Sequence, residues 1–173
     1  MIEIPIGSGG WAYISTGEKD NLRAYSQIFD FVEVNYTFYN LPKLSTVRSW
    51  RSRVPRDFVF SVKCNKTVTH KTGLQSIEET YKVLRYMREI CRLLRTDLFV
   101  VQTPPSLIVD VDMVEEAVQI FNSTGLGEYK ILWEARASKN RANVEKKMIE
   151  NEISPVVDIT RVNPNPDSFT QKS

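Results

Sequence analysis

The stretch Phe31-Val32-Glu33-Val34-Asn35-Tyr36-Thr37-Phe38-Tyr39 combines β-branched and aromatic residues with two polar side chains near its middle. β-Branched and aromatic residues suit a pleated, buried surface, so the stretch is predicted to begin as a strand. Alternation along a strand places Glu33 and Asn35 on one face and the two valines on the other. A buried carboxylate beside an amide is costly unless both groups are paired or used. The pair therefore marks a candidate site.

Five more apolar segments read as short strands, and amphipathic segments separate them. This alternation is typical of a parallel sheet with helices outside it. The other predicted strands cover residues 2–6, 58–63, 98–102, 131–136 and 155–158. Helices are predicted from about Asn21, Ser45, Ser76, Asp112 and Asn143, and Ser76 with Glu79 and Asp112 with Glu115 have capping-box spacing.

The 173 residues suffice for one domain, which we place at residues 1–161, with a polar, proline-containing tail over 162–173 that is expected to be poorly ordered. The net charge of +2 does not by itself indicate a nucleic-acid partner. Cys64 and Cys91 are expected to be free, buried thiols. The start of the chain lacks a signal-peptide pattern, and no apolar run approaches the ~20 residues that span a bilayer. These features predict a cytoplasmic protein without a membrane partner.

Polar residues end almost every predicted strand. Because the carboxyl ends of parallel strands lie at one edge of a sheet, where loops leave space for a ligand, these residues are predicted to form an active site. The alternative is a buried ion network, with Glu33 paired to Lys63 and Glu134 to Arg136, which would cost desolvation without a clear gain in stability. The strand-end residues are Glu33, Asn35, Lys63, Gln102, Glu134, Arg136 and Asp158.

Several motifs, in this order along the chain, resemble the YecE-like family, a domain of unknown function with an α/β-barrel fold. They are Gly7-Ser8-Gly9-Gly10-Trp11-Ala12-Tyr13, Val32 to Tyr39, Phe58 to Lys63 with Thr69-His70, Gln102-Thr103-Pro104-Pro105-Ser106 and Trp133-Glu134-Ala135-Arg136. The resemblance runs from about Ile6 to Asp158. It implies a barrel with a pocket at the strand ends, and it implies no particular reaction.

The sequence differs from that family in one respect. Family members continue with further strands, including one that ends in an Arg-Leu-His-Gly-like motif, and these strands do not appear in this sequence. An eight-stranded barrel typically needs ~250 residues. We therefore expect a TIM-barrel-like sheet of about six strands that is incomplete at its C-terminal side. Its first and sixth strands would expose backbone groups, which a second copy in a homodimer could cover.

The favoured functional hypothesis is a hydrolase that acts on a phosphate or phosphodiester. Glu33, Glu134 and Asp158 offer oxygen ligands for Mg²⁺ or Mn²⁺. Lys63 and Arg136 could bind the anionic substrate, and His70 could transfer a proton, although a role in loop hydrogen bonding is as well supported. The remaining predicted substrate contacts are Trp11, Tyr13, Tyr39 and Gln102.

Two alternatives stay open at the level of sequence. Glu33 and Glu134 could serve a glycosidase, with nearby aromatic rings stacking on sugar. Alternatively, the segment from Lys43 to Lys71, with eight basic residues and one acid, could follow a nucleic-acid backbone. Trp50 and Phe58 within this segment are better explained as core residues, so catalysis is favoured over binding.

Overall fold

The structure, a computed structural model, describes residues 5–14 and 20–158. Its centre is a six-stranded sheet in which all strands are parallel and follow one another in chain order. The strands are β1 (Gly7–Ser8), β2 (Phe31–Val34), β3 (Val59–Lys63), β4 (Leu98–Thr103), β5 (Lys130–Ala135) and β6 (Ser154–Pro155). The predicted parallel sheet is confirmed.

The helices lie in the connections between strands. They are α1 (Asn21–Tyr25), α2 (Tyr36–Tyr39), α3 (Leu44–Ser52), α4 (Glu78–Leu94), α5 (Val111–Thr124) and α6 (Arg141–Glu150), with a one-turn π-helix at Thr67–Lys71. Within the described ranges β1 and β6 do not pair with each other, so the sheet is not closed into a barrel. The predicted homodimer that would cover these edges stays a prediction.

One face of the sheet forms the hydrophobic core with the helices. Val32, Phe60, Phe99 and Trp133 point to this face and are almost completely buried. An apolar stripe of α4 packs into this core, because Leu84, Met87, Cys91 and Leu94 are all inaccessible to solvent. Full burial of one such side chain contributes about 1.5–3 kcal/mol relative to exposure, so the packing of this face stabilises the fold.

The opposite face carries the polar residues. Glu33 on β2 lies beside Ser61 on β3, and Gln102 on β4 lies beside Glu134 on β5. Lys63, two residues beyond Ser61, shares this face by the alternation of the strand. The core packing thus fixes the orientation of the polar residues, since a slip of one residue would turn them into the core.

Two helix starts differ from the predicted capping boxes. Helix α5 begins at Val111, and Asp110 rather than Asp112 caps it, because the Asp110 carboxylate accepts a hydrogen bond from the Met113 amide at 3.0 Å. Helix α4 begins at Glu78 after Ile77, and Ile77 has no side-chain cap to offer. The Ser76 hydroxyl is instead 2.6 Å from the Tyr81 hydroxyl, and Glu79 pairs with Lys71.

The outer strands are shorter than predicted and are shifted along the chain. β1 follows the predicted segment 2–6, and residues 2–4 of that segment lie outside the described residues. β6 ends at Pro155 rather than Asp158. The predicted tail, 162–173, also lies outside the described residues. No helix in residues 5–14 and 20–158 is long and apolar enough to cross a membrane. Cys64 and Cys91 are free and buried, as predicted.

Candidate functional site at the strand ends

Glu33 and Lys63 form an ion pair between neighbouring strands. The Lys63 Nζ is 3.4 Å from Glu33 Oε1, and the two side chains are 15% and 23% exposed. The same ammonium lies 5.7 Å from the centre of the Phe38 ring, where the negative face of the aromatic ring attracts a cation. The pair is therefore partly withdrawn from water at the carboxyl ends of β2 and β3.

A second ion pair lies at the ends of β4 and β5. The Gln102 Nε2 donates a hydrogen bond to Glu134 Oε2, while the Arg136 Nε lies 3.0 Å from Glu134 Oε1. Each carboxylate oxygen thus has its own donor, which fixes the Glu134 side chain between them. Arg136 follows the last residue of β5 and remains exposed, so its guanidinium keeps donors that can bind an anion.

His70 lies between these two pairs, in the one-turn π-helix rather than in the predicted loop. Its Nδ1 is 2.8 Å from the Thr69 hydroxyl, and its ring packs edge-on against Phe38 at 5.1 Å. Burial lowers the pKa of His70, and the positive charges of Arg136, Lys63 and Lys66 lower this pKa further. The lowered pKa keeps the imidazole neutral at neutral pH, so the ring is available as a general base.

Two side chains missed by the sequence reasoning support this arrangement. The buried Thr37 hydroxyl is 2.6 Å from the Val34 carbonyl and 2.7 Å from the Lys63 carbonyl, so it links the ends of β2 and β3. The Asn65 Nδ2 donates to the Thr37 carbonyl at 2.8 Å, and Asn65 Oδ1 accepts from the Thr67 amide at 3.0 Å. The sequence contains one sign of this role, because Thr37 and Asn65 are polar residues that come shortly after apolar strands.

The strand alternation that was predicted to place Asn35 on the face of Glu33 stops before Asn35. The strand ends at Val34, and Asn35 has helical backbone angles (φ −73°, ψ −20°) because the chain turns directly into α2. Its Nδ2 packs against Gly9, where a β-carbon would collide with it. The buried Asn35 Oδ1 and Ser61 Oγ have no hydrogen-bond partner among the described residues. Both atoms retain hydrogen-bonding capacity beside the site.

Of the three aromatic residues predicted to contact a substrate, the structure places only Tyr39 beside the polar residues described above. Tyr39 lies at the site, because it packs edge-on against Phe38 at 4.9 Å and has the Lys66 Nζ 5.7 Å from its ring centre. Trp11 instead packs edge-on against Trp50 of α3 at 5.4 Å. Tyr13 is 89% exposed. Trp11 is therefore partly a packing residue.

The predicted metal ligands are not gathered. In the part of the chain that the structure describes, no group of three or more His, Cys, Asp and Glu side chains is placed to hold a metal ion. Glu33 and Glu134 each face a cation instead, and Asp158 lies half-buried beyond β6. The remaining predicted residues lie at the carboxyl ends of the neighbouring strands β2 to β5 or in the π-helix that follows β3. We call them the strand-end site: Glu33, Lys63, His70, Gln102, Glu134 and Arg136.

The all-parallel sheet with helices in its connections places the chain in the class of α/β proteins. The chain belongs to the family described as "Protein of unknown function DUF72", whose model matches residues 6–143. It is 36% identical to the UPF0759 protein YecE of Escherichia coli over 59 residues, which are 34% of this chain and 22% of that protein.

Solved structures of the family share the fold. The chain matches a DUF72 family protein of Enterococcus faecalis with a TM-score of 0.63 and 18% identity, over 87% of this chain and 61% of that chain. A DUF72 family protein of Thermotoga maritima gives a TM-score of 0.63 and 18% identity, over 87% and 63%. The chain thus spans less than two thirds of the length of these relatives.

Proposed function

We propose that the strand-end site hydrolyses an anionic ester, with a phosphate monoester or diester as the substrate class. The observation that carries this proposal is the His70 imidazole, whose Nδ1 is 2.8 Å from the Thr69 hydroxyl and whose pKa is lowered by burial and by the positive charges of Arg136, Lys63 and Lys66. The same positive charges favour a bound anion.

The proposed reaction needs one tautomer of His70. Nδ1–H donates to the Thr69 hydroxyl, which leaves the Nε2 lone pair to take a proton from water. The water oxygen forms a bond to phosphorus, the ester P–O bond breaks, and the departing alkoxide receives the proton from His70. Lys63 and Arg136 stabilise the negative charge on the other phosphate oxygens.

A metal ion has no assigned step in this proposal. The carboxylates of Glu33 and Glu134 face Lys63 and Arg136, so they orient these cations over the site. The predicted use of Mg²⁺ or Mn²⁺ stays a prediction that the assay can test by comparing added metal with a chelator. The glycosidase alternative, with Glu33 and Glu134 as its two carboxyl groups, stays a prediction.

The test is hydrolysis of bis(p-nitrophenyl) phosphate and p-nitrophenyl phosphate by the wild-type protein and by His70→Asn. We expect the substitution to lower kcat/KM by about 10²–10⁴-fold, which is the usual contribution of general acid–base catalysis. Lys139→Met, a change at an exposed lysine after β5, is the matched control and should keep full activity.

Two results would contradict the proposal. One is the absence of turnover of both esters by the wild-type protein, with or without Mn²⁺. The other is unchanged kcat/KM in His70→Asn. Thermal unfolding of each variant separates a lost catalytic group from a lost fold.

A further inference from the structure

A second concentration of positive charge lies at the other end of the sheet. Helices α3 and α4 end shortly before β3 and β4 begin, so their C-terminal turns lie at the amino ends of these strands, away from the strand-end site. A cleft of about 590 Å³ opens there. It is lined by Arg48, Arg51, Ser52, Val54, Arg56, Arg92, Leu93 and Arg95, and we call it the arginine cleft.

The charges of the arginine cleft are poorly compensated. Arg92 pairs with Glu89 at 2.9 Å. Within residues 5–14 and 20–158, no carboxylate lies within 4.0 Å of the other four guanidinium groups. Like charges that converge without counterions repel each other, and a bound anion relieves this repulsion.

Backbone carbonyls hold the Arg51 guanidinium in place within the cleft. Its Nη1 donates to the Phe58 carbonyl at 2.7 Å and its Nη2 donates to the Pro55 carbonyl. The guanidinium also lies 5.2 Å from the centre of the Phe60 ring. Burial lowers the pKa of Arg51, and the charge of Arg95 lowers this pKa further, against the opposing effect of Asp57. Arg95 therefore repels the positive charge of Arg51, and the hydrogen bonds of Arg51 hold its guanidinium in place.

We propose that the arginine cleft binds a small compound that carries two or more adjacent phosphate groups. The volume lies in the range of ligand sites, about 300–1,000 Å³. Arginine presents a planar fork of donors that matches phosphate oxygens in pairs. Arg48 and Arg56 are exposed, so their donors can approach a ligand from two sides.

A nucleic-acid strand fits the arginine cleft less well. Single-stranded nucleic acid is held by aromatic side chains on which the bases stack. The described lining of the cleft contains no aromatic ring. The Trp and Phe residues of the segment 43–71 are at most 7% exposed, and they are Trp50, Phe58 and Phe60. The cations also converge on one cleft rather than follow a line.

The experiment is calorimetric titration of the protein with sodium tripolyphosphate at physiological salt. We expect saturable binding, and an affinity at least about tenfold weaker in the double variant Arg48→Gln/Arg56→Gln, because each lost fork removes charge-assisted hydrogen bonds. The double variant Arg48→Lys/Arg56→Lys, which keeps the charge and loses the fork, should show an intermediate loss. The control Arg23→Gln/Lys82→Gln removes the same charge at exposed residues elsewhere and should bind like the wild type.

Three outcomes would overturn the inference. They are no binding by the wild type, equal weakening in the control, and binding of a single-stranded oligonucleotide through Arg48 and Arg56 that tripolyphosphate fails to displace. His70→Asn should bind tripolyphosphate at the arginine cleft normally. The inference and the proposed hydrolysis can therefore fail independently.

Discussion

Replacing Thr37 by valine tests whether one buried hydroxyl holds the ends of β2 and β3 together. Thr37 is inaccessible to solvent, and its Oγ1 lies 2.6 Å from the Val34 carbonyl and 2.7 Å from the Lys63 carbonyl. Valine has nearly the same shape, so the change removes hydrogen bonding while leaving the volume almost unaltered.

The expected loss follows from these two contacts. The hydroxyl has one hydrogen to share between two carbonyl oxygens, so the variant loses about one hydrogen bond and sets a methyl group against both oxygens. A buried acceptor left without its donor costs about 1–3 kcal/mol. We therefore expect the free energy of unfolding of Thr37→Val to fall by about 2 kcal/mol.

Urea unfolding followed by circular dichroism measures this loss. With a slope of about 2 kcal/mol/M, the midpoint should fall by about 1 M while the slope stays constant. Thr46→Val on the exposed surface of α3 is the control and should change stability by less than about 0.5 kcal/mol. A loss in Thr37→Val no larger than that of the control would refute the bridging role of Thr37.

Three further predictions follow from the same structure. The pKa of His70 is lowered from 6.5 in the folded chain, so the unfolded chain binds the His70 proton more readily as the pH decreases through about 6.5. The free energy of unfolding should therefore decrease as the pH is lowered. Urea midpoints measured from about pH 8 down to about pH 5 should show a smaller decrease in His70→Asn than in the wild type. Burial raises the pKa of Cys64 and of Cys91, so neither thiol should react with Ellman's reagent at neutral pH until the protein is unfolded, and fast labelling of the native protein would contradict this. Asp110→Ala should cost about 1 kcal/mol in thermal or urea unfolding because it removes the cap of α5, whereas Asp112→Ala should cost clearly less, and the reverse order would restore the cap predicted from sequence.

Alternation along the strands explains why much of the strand-end site was predictable. A strand that buries Val32 and Val34 must turn Glu33 to the other face, and the same reasoning holds for Lys63 and Glu134. The ion pairs weighed as an alternative, Glu33 with Lys63 and Glu134 with Arg136, are both present. Their two cations, Lys63 and Arg136, also lower the pKa of His70.

The position of Asn35 could not be read from the sequence. Val34, Asn35 and Tyr36 continue the strand pattern in the sequence, whereas in the structure the strand ends at Val34 and the buried Thr37 hydroxyl donates back to the Val34 carbonyl. The π-helix around His70 was equally hidden, because five residues give no periodicity and the turn depends on contacts such as the Asn65 side chain.

The arginine cleft shows a further limit of sequence reasoning. The basic residues of α3 and those of α4 lie more than 30 positions apart in the sequence. Arg48 and Arg51 approach Arg92 and Arg95 only when α3 packs beside α4. Such a site depends on distant parts of the chain, so the charge pattern of either helix alone indicates only a solvated surface.

The strict chain order of the sheet has a consequence for how the molecule acquires its structure. No described strand is inserted between two earlier ones, so each pairs with a partner that the ribosome has already released. The β2–β3 pair with α3 can therefore form early, and each later strand can dock on the growing edge as synthesis proceeds from the N-terminus. Folding by successive addition keeps loop-closure distances short, which lowers the entropic barrier that usually slows parallel sheets.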